Sequence, residues 1–134
     1  MHPLLIGATL IRISLSLAAS IRRSANVSPD VVVCTDTLDS PQGCTTISVV
    51  SDACIDLNDT LSDLDKRISS ASIPGGFVCT FFEDHLCFAS GTGNSNTDSE
   101  VVLTQGAWNL SDVPGLSGPE DFNDLTSSFA CSPA

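Results

Sequence analysis

Asn123-Asp124-Leu125-Thr126-Ser127-Ser128 gathers an amide, a carboxylate and three hydroxyls into six residues, and Asp65-Lys66-Arg67-Ile68-Ser69-Ser70 is a weaker copy of it earlier in the chain. Oxygen donors packed this tightly suit a hard cation such as calcium. The same residue types also stabilise a tight turn with no metal, because Asp or Asn opens the turn and Ser bonds back to the backbone. Two copies of one segment imply a duplicated unit.

Other residue types that could do chemistry give little. His85, in Glu83-Asp84-His85-Leu86-Cys87, is the one histidine outside the N-terminal stretch; it cannot build a multi-histidine zinc site and reads as a solvated turn residue. No Gly-x-Ser-x-Gly elbow marks an activated serine. The adjacent acids Glu83-Asp84 and Glu120-Asp121 read as solvated turn charge rather than a glycosidase pair. Gly91-Thr92-Gly93-Asn94 has no following lysine and reads as a flexible linker, not a phosphate loop. Trp108 sits in an apolar run beside Leu110 and is expected in the core. The expectation is a chain with no catalytic residues, a hydrolase being the remotest alternative.

The elements that must position these residues are short. Seven prolines, nine glycines and abundant Ser and Thr favour strands and turns, so the expected class is all-β. The apolar runs are Val31 to Val33, Ile47 to Val50, Ala53 to Leu57, Phe77 to Phe82, Val101 to Leu103 and Ala107 to Leu110. Four strand signals per half suit a Greek-key unit and a two-unit sandwich. Leu57, Leu61, Leu64 and Ile68 fall near helical spacing and predict a turn or two of helix between the third and fourth strands of the first half. Asp56, Asn58 and Thr60 do not form a helix-loop-helix calcium loop, since neither the glycine at the bend nor the closing glutamate is present.

Residues 1–20 are mostly apolar and end in Ala18-Ala19-Ser20, as a secretory signal would, although Arg12 interrupts the run. Residues 21–29 read as a linker or processing segment and 30–134 as a single domain, with motifs at about 30–73 and 75–131. Six cysteines (Cys34, Cys44, Cys54, Cys79, Cys87, Cys131) and three sequons (Asn26, Asn58, Asn109) fit an oxidising, glycosylating route to the extracellular space. Cleavage before Ser24 would leave two basic residues, Lys66 and Arg67, against 16 acidic ones, a net charge of −14. Such a surface disfavours nucleic acid and anionic membranes as partners, and no later apolar stretch is long enough to span a bilayer.

With the repeat laid out, the chain resembles a βγ-crystallin-type domain of the small, secreted, cysteine-bearing kind found in fungi and bacteria. The resemblance covers about residues 30–131. It is carried by Cys34-Thr35-Asp36, Gly43-Cys44, Cys54-Ile55-Asp56-Leu57, Asp65 through Ser70, Phe77 through Asp84, Cys87, and Asn123 through Cys131. It implies two Greek-key motifs that lend their third strands to each other's sheets. From that exchange follow the disulfides Cys54–Cys131, Cys34–Cys44 and Cys79–Cys87.

The resemblance also implies a calcium signature, an Asn/Asp pair, two variable residues and then Ser/Thr-Ser. Residues 123–128 match it throughout, with Asp124 giving a carboxylate, Leu125 its carbonyl and Ser127 its hydroxyl. The segment from Asp65 departs at Lys66, which has no acceptor and carries the wrong charge. Because the two segments are expected to share ligands crosswise, the resemblance favours at most one calcium ion, completed by Asp124, Ser69 and the Arg67 carbonyl. The expected function is that of a secreted, monomeric, non-enzymatic domain. It would bind calcium weakly or not at all and act through surface contacts, toward an extracellular protein target, or serve as a structural or stress protein. The alternative is a secreted effector, toxin-like antimicrobial protein or protease inhibitor, with residues 90–100 as its loop.

Overall fold

The computed structural model describes residues 28–89, 99–115 and 118–134. The expected signal (1–20), residues 21–27 of the linker, Asn26 and most of the 90–100 loop lie outside them. The first half comprises β1 (Asp30–Cys34), β2 (Cys44–Ser48), β3 (Cys54–Asp56) and β4 (Ser70–Ile73). The second comprises β5 (Phe77–Phe82), β6 (Glu100–Leu103), β7 (Gly106–Asn109), a hairpin of β8 (Val113–Gly115) and β9 (Gly118–Glu120), and finally β10 (Ser128–Pro133).

These strands form two four-stranded antiparallel sheets, ordered β2-β1-β4-β7 and β3-β10-β5-β6. Each sheet therefore holds the third principal strand of the other half, the exchange that the resemblance implied. The chain is all-β, as its turn-rich composition predicts. The β8–β9 hairpin was not anticipated; it occupies the place that a 3₁₀ segment, Asp59–Leu64, takes in the first half. That segment is the short helix expected there; it buries Leu64, and Leu57 and Ile68 are buried on either side of it.

Strand alternation fills the space between the sheets. Val31, Val33, Ile47, Ala71 and Ile73 come from the first sheet and Cys79, Phe81, Val101, Leu103, Phe129 and Cys131 from the second, all buried. Phe81 and Phe129 are register partners and stack with ring centroids 5.0 Å apart, a pairing that contributes about 0.5–1.5 kcal/mol beyond its burial. Trp108, expected in the core, is only half-buried and packs against its edge, while its indole N–H donates to the Thr104 carbonyl at 2.7 Å. Gly76, with φ +81°, turns the chain between β4 and β5 in a conformation that glycine adopts without a steric penalty.

All six cysteines are in disulfides, Cys34–Cys44, Cys54–Cys87 and Cys79–Cys131. The expected Cys54–Cys131 and Cys79–Cys87 links are thus corrected. Cys54 does lie on the strand beside β10, but its register partner is Ala130, not Cys131. Neighbouring residues of a strand point to opposite faces, so Cys131 faces the core and meets Cys79, its register partner on β5. Cys54 points to the outer face, where the 3₁₀ turn His85–Cys87 covers the sheet and presents Cys87.

Candidate metal centre

The two oxygen-rich segments are the turns that feed the last strand of each half, Asp65 to Ser70 entering β4 and Asn123 to Ser128 entering β10. They face each other and exchange backbone hydrogen bonds, Lys66 N–H to Thr126 O at 2.9 Å and Asp124 N–H to Ile68 O at 3.1 Å. Ser70 Oγ donates to Asp36 O at 2.5 Å, and Ser128 Oγ donates to Asp84 O at 2.6 Å. Ser69 N–H bonds Cys34 O at 2.8 Å, and Ser127 N–H bonds Phe82 O at 2.9 Å. Lys66 and Asp124 share a left-handed backbone, φ 60° and 59°. The two segments are therefore related by an approximate two-fold, residue for residue.

Side chains break this symmetry. In one half, Asp124 Oδ1 lies 3.5 Å from Ser69 Oγ, and Asn123 Nδ2 donates to Asp124 Oδ2 at 3.3 Å. Arg67, whose N–H bonds Leu64 O at 3.0 Å, lies between Lys66 and Ile68 on the same turn as Ser69. In the other half, the Lys66 ammonium donates to the carbonyl oxygens of Leu125, at 2.8 Å, and Glu83. Ser127 Oγ donates to Asp65 Oδ1 at 2.6 Å. Thus Asp124 and Ser69 come together as expected of a shared cradle. The Leu125 carbonyl, Ser127 and Asp65 belong to the opposite half, where protein donors already engage them.

The contacts of two residues at this centre were not foreseen. His85 is an exposed turn residue, as expected, but its Nδ1 lies 3.1 Å from both carboxylate oxygens of Asp56 and its Nε2 3.5 Å from Asp65 Oδ2. Leu86 N–H also bonds Asp56 Oδ1 at 2.7 Å, so Asp56 holds the first two residues of the 3₁₀ turn, while Cys87 N–H donates to Ser128 Oγ at 2.8 Å. No local signal links Asp56 to His85; only the transfer of β3 into the second sheet makes them neighbours. Glu83 contributes through its backbone, which its side-chain type does not advertise.

The donor set on the Asp124 side consists of oxygens, the chemistry a hard divalent cation requires. Among the described residues no three His, Cys, Asp or Glu side chains cluster as a metal site, so an ion there would also need hydroxyl and backbone oxygens. The Lys66 side does not fit a metal, because an ammonium already sits against its carbonyls.

No protein-family model and no curated protein matches the sequence. Solved structures do resemble the fold. The N-terminal domain of Protein S superposes with a TM-score of 0.50 at 13% identity, covering 79% of this chain and 98% of that one. A βγ-crystallin domain from Flavobacterium johnsoniae superposes with a TM-score of 0.50 at 17% identity, covering 77% and 93%. At such identities the likeness concerns architecture, and with the paired sheets and the exchanged third strands it gives this chain a βγ-crystallin-like fold.

Proposed function

We propose that the chain is a secreted, non-enzymatic βγ-crystallin-like domain that holds one calcium ion at the Asp124 cradle and works through its surface. The observation that carries this reading is the meeting of the Asp124 carboxylate with the Ser69 hydroxyl across the two halves. The Asp124 carboxylate, the Ser69 hydroxyl and the Arg67 carbonyl would hold the ion. The two-fold adds the Thr35 carbonyl, since Thr35 follows Cys34 as Glu83 follows Phe82. Bound calcium supplies a charge that attracts oxygens from both halves at once. The protein's part is to hold Asp124 in a left-handed turn and to set Ser69 opposite it.

Six paired cysteines and the exposed sequon residues Asn58 and Asn109 support passage through an oxidising, glycosylating compartment. His85 is engaged by two carboxylates, and Ser127 donates to Asp65 rather than to the imidazole. That arrangement supports a structural rather than a nucleophilic role for these residues.

Calorimetric melting with calcium and with chelator tests the reading. Small extracellular sites bind with dissociation constants of about 10⁻⁴ to 10⁻³ M, so 10 mM calcium should stabilise the native state by about 1.4–2.7 kcal/mol. An upward shift of several degrees is expected, and Asp124→Ala should abolish it. An unchanged midpoint at that concentration would contradict the reading.

A further inference from the structure

The approximate two-fold places Lys66 where the other half has Asp124. The equivalence rests on backbone alone, on the matched bonds to Thr126 and Ile68 and on the shared left-handed φ. Lysine has no lone pair to offer a metal; it brings a cation of its own with three donors. Although Lys66 is an exposed residue, its ammonium folds back to donate to two backbone carbonyls, Leu125 from the facing turn and Glu83 just after the β5 strand.

A cation bound by carbonyls drawn from two chain segments is what a metal would be in this position. We propose that Lys66 is a tethered cation. Its ammonium takes the place of an exchangeable ion in the second half of the two-fold, and it fastens the Asn123 turn to β5 whether or not calcium is present. The inference rests on reading the Asp124 half as a cation cradle. It adds that the Lys66 half is the same kind of cradle, filled by the protein itself. Calcium depletion would then release one clasp and leave the other closed.

Two features support exchange rather than a chance surface contact. Lys66 keeps a left-handed φ of 60°, a conformation that disfavours a long side chain and favours Asn or Asp. The carboxylate of its neighbour Asp65 has its own partners, the Ser127 hydroxyl and the His85 imidazole, and makes no ion pair with the ammonium among the described residues. The carbonyls, not a carboxylate, hold the charge.

The test is isothermal titration of calcium into the oxidised protein and into three variants, Lys66→Asp, Asp124→Ala and the double variant, with Lys66→Asn as a milder substitution. The expected result is one additional calcium ion per chain in Lys66→Asp, and one ion in the double variant where Asp124→Ala alone binds none. Lys66→Asp and Lys66→Asn should melt below the parent in chelator and recover in calcium. If the parent binds nothing while Lys66→Asp binds one ion, the tethered cation stands and the calcium reading of the Asp124 half falls. If the Lys66 variants fold but gain no ion, the proposal is overturned. A variant that is unfolded without metal supports the proposal if calcium refolds it and contradicts it if calcium does not.

Discussion

Thr126 and Ile68 occupy equivalent places on the two facing turns, and both are fully buried. Ile68 satisfies that environment, whereas the Thr126 hydroxyl has no hydrogen-bond partner among the described residues. An unsatisfied buried hydroxyl costs about 1–3 kcal/mol, so Thr126→Val should raise stability by about 1 kcal/mol, read as a higher urea midpoint at an unchanged slope. A fall in that midpoint would show that the hydroxyl has a partner after all. At this scale the sequence was informative about chemistry and poor about contacts. The charge of Lys66 sufficed to break the symmetry of the two segments. The carbonyls its ammonium bonds could not be read, because backbone acceptors have no signature in side-chain types. His85 was opaque for a related reason, since its carboxylate partners belong to β3 and to the Asp65 turn.

The elements were more legible than their register. Apolar runs marked six of the eight principal strands, the repeated segments ending in Ser-Ser marked the entry to β4 and β10, and leucine spacing marked the 3₁₀ segment at Asp59–Leu64. Which cysteines face each other depends on a one-residue choice along β10, and a period-two structure reverses every side chain for such a step. Cys79 and Cys131 join the central strands of one sheet on its buried face. Cys54–Cys87 instead pins the His85–Cys87 turn on the outer face and closes a separation of 33 residues. The chain-entropy model assigns such a closure about 3–4 kcal/mol, so replacing both Cys54 and Cys87 by Ala should lower stability by about that much. Amide exchange should quicken first at Leu86 and Cys87, where the turn loses its tether, while β5 and β10 keep their protection. Equal quickening throughout both strands would mean that the outer disulfide supports the core itself.

Across the whole molecule, the exchange of β3 and β7 between sheets makes each half incomplete alone, so the facing turns sit where the two halves must agree. The full chain carries 16 acidic and five basic residues, and a cation at the joint offsets part of the resulting repulsion. One half would draw that cation from solution and the other from Lys66. A crystal structure of the oxidised protein grown in 10 mM calcium tests this most directly. One ion is expected, bound by Asp124 and Ser69, with the Lys66 ammonium still on the Leu125 and Glu83 carbonyls. No ion beside Asp124, or an ion between Leu125 and Glu83 with Lys66 displaced, would contradict it.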